Sequence, residues 1–182
     1  MFDRLPEILC TEVTVSTEHF RIERLHLEFA NGQRRYYERM AGDSGGAVMV
    51  VPVLGDQLLL IREYCAGTHS YELGFPKGRS EAGEDWRQTA ERELREETGY
   101  RGGTYTYLRR VNSAPSFFAA DIDLVLAEDL IWDPLDTGDE PEPVEKIWRP
   151  LGDMSALLLD PAFREARCLA ALAAAMQLKG WR

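Results

Sequence analysis

GRSEAGEDWRQTAERELREETGY, residues 78–100, begins as a loop and continues as a helix. Asp85–Thr98 contains no glycine or proline, carries Trp86, Ala90 and Leu94 at four-residue spacing, and meets Gly99 as a C-cap. At about 100° per residue, Glu93, Glu96 and Glu97 project from one side, with Ala90 and Leu94 nearer another. Carboxylates crowded on one helix face repel by about a few tenths of a kcal/mol per pair, a penalty that a cation removes. Hard oxygen ligands select Mg²⁺ or Mn²⁺, and Mg²⁺ keeps positions for water and phosphate oxygens. The competing reading is a solvated acidic face balanced by Arg87, Arg92 and Arg95. Upstream, Gly78 opens a loop, Arg79–Gly83, that leads to Glu84 and the helix.

Working outward, Phe20–Phe29 and Gln33–Met40 flank Asn31-Gly32, two residues that tolerate positive φ, and predict a β-hairpin. Ala47–Val53 and Gln57–Tyr64 flank Gly55-Asp56 and predict a second hairpin, rich enough in Val, Leu and Ile for a buried sheet. Thr104–Val111, Ile122–Ala127 and Ile147–Arg149 predict further strands. Leu151–Leu159 and the alanine-rich Ala162–Leu178 predict helices interrupted at Asp160-Pro161, the second packing on the sheet or on a partner subunit. Glu128–Glu145 is the most acidic loop, stiffened by Pro134, Pro141 and Pro143. Strands and helices mixed with hairpins predict an α/β chain whose mixed sheet is covered by helices.

A chain of 182 residues suggests one domain with at most a small appendage, and it can bury a full core without staples. Cys10, Cys65 and Cys168 form no CxxC pair, so neither a disulfide framework nor a zinc site is indicated. The histidines His19, His26 and His69 fall in no ligand spacing. The N-terminus mixes charged with apolar residues, unlike a signal peptide, and no apolar run is long enough to span a bilayer. These features predict a soluble, cytoplasmic protein. The formal net charge of −10 argues against nucleic-acid and anionic-membrane partners, and requires that something offset repulsion of any anionic substrate, which a bound cation would do.

The order Gly78, five residues, Glu84, seven residues, Arg92-Glu93-Leu94, one residue, Glu96-Glu97, one residue, Gly99-Tyr100 resembles the signature box of the Nudix hydrolases. Tyr100 stands where an aliphatic residue is usual, a departure that touches packing more than metal binding. The resemblance implies a Nudix α/β/α sandwich with a mixed sheet. It implies that Glu93, Glu96 and Glu97 bind metal together with the backbone carbonyl of Lys77, while Glu84 and Arg92 brace the loop against the helix. Gly78, Leu94 and Gly99 are the structural positions of the motif. Pro115, past the box in Ser113–Ser116, resembles the ADP-ribose pyrophosphatase branch. Leu27–Gly32, Tyr37–Met40, Ile61–Tyr64, Tyr71–Phe75, Gly138–Pro143 and Glu165–Arg167 resemble the bacterial ADP compounds hydrolases within it.

That closer resemblance implies Mg²⁺- or Mn²⁺-dependent cleavage of ADP-ribose, diadenosine polyphosphates and NADH, with AMP as a product. It implies a loop base at Glu140, with Glu142 second. Arg62 and Arg34 are candidate phosphate ligands, since Arg pairs bidentately with such groups. Phe117, Phe118 or Tyr71 are candidates to stack on adenine, and Glu72 to orient substrate or support the metal site. The N-terminal hairpin, within residues 1–44, resembles a dimerising element that would carry Arg34 to the other subunit's site; residues 45–182 would form the hydrolase domain of a homodimer. Two alternatives accompany this reading: the same chemistry on another nucleotide, and a sensing domain without activity, which usually lacks box glutamates that this chain retains.

Overall fold

The computed structural model describes residues 4–42, 45–135 and 142–182. Two compact units divide the chain: the stretch before Gly45 with Asn112–Asp121, and Gly45–Val111 with Ile122–Arg182.

In the first unit, β1 (Glu7–Ser16), β2 (Arg21–Glu28) and β3 (Arg34–Ala41) form an antiparallel sheet in that order. The expected hairpin therefore supplies two strands of a three-stranded element. Its turn closes as the residues demand: Gly32 has φ 78°, and the Gln33 N–H donates to the Asn31 side chain at 3.1 Å. β1 escapes a sequence reading because its residues are exposed on both faces, with Thr14 alone half-buried, so it carries no alternating pattern.

The second unit is built on β4 (Ala47–Leu54) and β5 (Gln57–Cys65), joined at Gly55 with φ 60°. They pair at the hairpin end, Val53 with Leu58 and Leu54 with Gln57, and then diverge. The gap is filled by β6 (Ser70–Gly74), antiparallel to β5, and β7 (Lys77–Arg79), antiparallel to β4. Pro76 sits between these two short strands, and its carbonyl accepts the Val50 N–H at 2.9 Å. α1 (Trp86–Thr98) follows, then β8 (Tyr100–Arg101), β9 (Thr104–Ala114) and β10 (Phe118–Glu128). β10 runs parallel to β4 from Ile122 to Ala127, which makes the sheet mixed. β11 (Ile131–Trp132) pairs with β8, and β12 (Glu145–Pro150) lines the free side of β5.

Alternation along β4 sorts the core into two layers. Val48 and Val50 pack with Ala90 and Leu94 of α1, whereas Met49 and Val51 pack on the opposite face. That opposite face is covered by α2 (Met154–Leu158) and α3 (Ala166–Lys179), the latter through Cys168, Ala171, Leu172 and Ala175. Helices on both faces of a mixed sheet make the α/β/α sandwich. Two helix boundaries differ from expectation. Leu151–Asp153 is a 3₁₀ turn rather than the start of an α-helix. Residues 162–165 are not helical, because Asp160 draws Ala162 and Phe163 into a local turn with bonds of 2.9 Å each.

Candidate active site

Gly78 and α1 face each other. A β-carbon at Gly78 would stand 2.1 Å from the Glu93 carboxyl group, so only glycine lets this buried carboxylate lie against the strand. α1 starts at Asp85, an N-cap whose carboxylate accepts the Arg87 and Gln88 N–H groups at 2.9 Å, while the Gln88 side chain accepts the Asp85 N–H. It ends at Gly99, left-handed at φ 77°, whose N–H donates to the Arg95 carbonyl at 2.8 Å.

Arg92 holds loop and helix together. Its guanidinium forks onto Glu84 at 2.8 and 2.9 Å and donates to the Arg79 carbonyl at 2.8 Å. Glu84 also accepts the Glu81 N–H and the Thr89 hydroxyl. The hydrogen bonds from Arg92 hold the Glu84 carboxyl down at about 2. The remaining Arg92 nitrogen donates to Glu93 at 2.7 Å and to the exposed Glu96 at 3.0 Å.

Glu97 accepts the backbone N–H of Lys77 at 3.1 Å. Burial pushes its carboxyl well up, and neighbouring Glu63 and Glu93 add to the rise against the pull of Lys77. Burial likewise raises Glu93, against Arg92. The Lys77 ammonium is paired with Glu63; burial pulls it toward the neutral form, and the Glu63 charge outweighs that pull. Carboxylates desolvated beside one another are a donor set that a divalent cation would relieve. Among the described residues no three such groups meet as an ion cage; Arg92 engages Glu93 and Glu96, and the Lys77 N–H engages Glu97.

Arg62 and Glu142 line one cavity of about 320 Å³ with Glu63, Tyr64 and Tyr71. The Tyr71 hydroxyl donates to Glu142 at 2.7 Å, and Arg62 pairs with Glu145 at 3.0 Å. Glu72 lines a second cavity, of about 440 Å³, and is forked by Arg164, which with Ser70 holds its carboxyl near 2. Arg34 and Phe117 belong to the first unit and are exposed; Arg34 pairs with Glu28 at 2.7 Å. Glu140 lies outside the described residues. Glu63 was not singled out from sequence. Its signal was the register that sets it opposite Glu72, legible only once β6 is recognised as a strand.

No helix among the described residues is long and apolar enough to cross a membrane. The NUDIX domain family matches residues 43–172, and the NudE-type Nudix hydrolase N-terminal domain matches residues 6–39. The chain is 47% identical over 167 residues to ADP compounds hydrolase NudE of Escherichia coli (strain K12), covering 92% of this chain and 89% of the relative. It is 29% identical over 104 residues to the ADP-ribose pyrophosphatase of Bacillus subtilis (strain 168), covering 57% of this chain and 56% of that one. A crystal structure of an ADP compounds hydrolase superposes with a TM-score of 0.91 at 46% identity, over 97% of this chain and 96% of that one.

Proposed function

The chain belongs to the Nudix hydrolases, and from that premise we propose that it hydrolyses the diphosphate linkage of ADP-containing compounds, ADP-ribose, diadenosine polyphosphates and NADH among them, releasing AMP. The relatives named for ADP compounds and ADP-ribose support the substrate class. The observation that carries the reading is the half-buried Glu97 carboxylate, docked on the Lys77 N–H beside Glu93 and Glu63.

Nudix hydrolases generally need a divalent metal ion. Glu93, Glu96, Glu97 and the Lys77 carbonyl would hold it, and all-oxygen donors favour Mg²⁺, with Mn²⁺ next. When bound, such an ion supplies charge neutralisation at the diphosphate and a more acidic water. Arg92 keeps Glu93 and Glu96 facing the same side and locks the loop to α1 through Glu84. Gly78 leaves room for Glu93. Arg62, in the cavity with Tyr64 and Tyr71, offers donors to phosphate oxygens. Glu140 is the proposed base that takes a proton from the attacking water; Glu142, which holds Tyr71, is second. Arg34 and Phe117 are proposed to serve substrate binding in a homodimer formed through the N-terminal sheet.

The test is a panel of ADP-ribose, NADH and diadenosine triphosphate with and without Mg²⁺ or Mn²⁺, with products read by mass. AMP that depends on the metal is the expected product; no AMP from any of the three rejects the reading. Near-normal turnover by Glu140→Gln removes Glu140 as the base.

A further inference from the structure

Glu63 stands in the wall of two cavities of the second unit, and their chemistries differ. The smaller is aromatic, with Tyr64 and Tyr71 at a ring separation of 5.9 Å. The larger, of about 440 Å³, reaches α1 through Lys77, whose backbone N–H donates to Glu97. Its charges are closed in pairs within the wall: Lys77 with Glu63, Arg164 with Glu72 and Arg167 with Glu165. Three cations facing three carboxylates sum to no formal charge. Such a cavity offers a further phosphate little net attraction.

Each pair nevertheless keeps unused hydrogen-bonding capacity, because a guanidinium has five donors and a carboxylate about four acceptor sites. Thr68 adds a hydroxyl to the same wall. Alternating donors and acceptors match neighbouring hydroxyls, each of which gives one hydrogen bond and takes another. The wall is half-buried, with Arg164 exposed, and it discriminates because a ligand that carries hydroxyls gains hydrogen bonds there that one lacking them does not. Resting on the ADP-compound reading above, we propose that this cavity is the subsite for the uncharged, hydroxyl-rich sugar on the far phosphate of the substrate. Arg164, Arg167, Glu72 and Glu165 are its specificity-determining residues.

Gly67 provides the test. It lines the cavity, its backbone is outside the positive-φ region, and a β-carbon there meets no atom within 4 Å. Gly67→Phe therefore adds a large side chain at the cavity wall without backbone strain. ADP-ribose is compared with the β-methyl ester of ADP, which keeps the anhydride and replaces the sugar by methyl. Wild-type kcat/KM is expected to favour ADP-ribose by roughly tenfold or more, and Gly67→Phe to shrink that preference to about twofold or less, chiefly through KM. Arg167→Ala, a smaller change, is expected to lower the preference in the same direction. An unchanged preference in both variants overturns the proposal, as does an equal loss on both substrates or a wild type with no preference. A wild type that cleaves neither compound overturns the sugar subsite, and one that also gives no AMP from NADH or diadenosine triphosphate overturns the ADP-compound reading itself.

Discussion

At Gly78 a single hydrogen atom decides where a carboxylate lies. Gly78→Ala would place a methyl group 2.1 Å from the Glu93 carboxyl, so Glu93 must leave its seat against the strand. Because the end of a side chain moves more cheaply than backbone, activity should suffer more than fold. The expected loss in kcat/KM is roughly 10²-fold, with metal affinity falling roughly 10- to 100-fold. Metal titration against activity separates the two effects. Glu97 is the complementary case. Its carboxyl is raised well above the usual 4.5, so the metal-free fold binds a proton that the unfolded chain has released. Its charge therefore costs stability as pH rises from the ordinary value through the raised one. Glu97→Gln should raise the Tm of metal-free protein at neutral pH, lose that advantage below pH of about 4.5, and abolish turnover. A variant with wild-type turnover would remove Glu97 from the site. Glu84 has the opposite sign: held near 2 by Arg92, it stabilises above its usual 4.5, and that contribution is lost as pH falls toward 2. At neutral pH, Glu84→Gln should cost about 1–3 kcal/mol in urea unfolding, a difference that narrows on acidification.

The helix that carries these residues was legible because its determinants are local. The Trp86, Ala90 and Leu94 stripe, the acidic cap and the terminal glycine are all within one short span, and the observed α1 differs only in that Asp85 caps it. Asp85→Ala removes the side-chain arm of the capping box, leaving Gln88 on the backbone N–H of residue 85, and should lower stability by about 1 kcal/mol, read from the shift in denaturation midpoint. Gly99→Ala should cost more than the left-handed φ alone implies, because the new methyl meets the Trp132 ring at 2.6 Å. The elements that sequence did not disclose are those whose cause is distant. β6 and β7 are short, split at Phe75-Pro76, and exist because β4 and β5 diverge around them. β8 and β11 are two residues each and pair only with each other. The ion pairs of Arg164 and Arg167 join positions about which local pattern says nothing. The metal-facing carboxylates could thus be read from one segment, whereas Glu63 and the sugar cavity required β6 in register.

For the molecule as a whole, the N-terminal sheet raises the question of what covers it. β1 is paired along one side by β2 and is exposed on both faces, with Ile8, Val13 and Val15 each at least half accessible, at 53%, 53% and 50%. β3 adds Tyr36 at 71% and Tyr37 at 50%. Apolar surface on an edge strand is ordinarily shielded or blunted by charge, and leaving it in water costs roughly 25 cal/mol per Å². A second copy of the chain is the economical cover, because a two-fold interface uses the same patch twice and reaches the roughly 1,200–2,000 Å² of a stable complex. The proposed homodimer predicts a sedimentation mass of two chains, each of 20.7 kDa. Paired substitution Val13→Asp and Val15→Asp places like charges across that interface and should yield monomer, with the second unit still folded. If Arg34 serves the other subunit's substrate, the monomer should show a raised KM that mixing with intact protein restores. A wild type that sediments as a single chain, or a fully active monomer, would show that each second unit works alone.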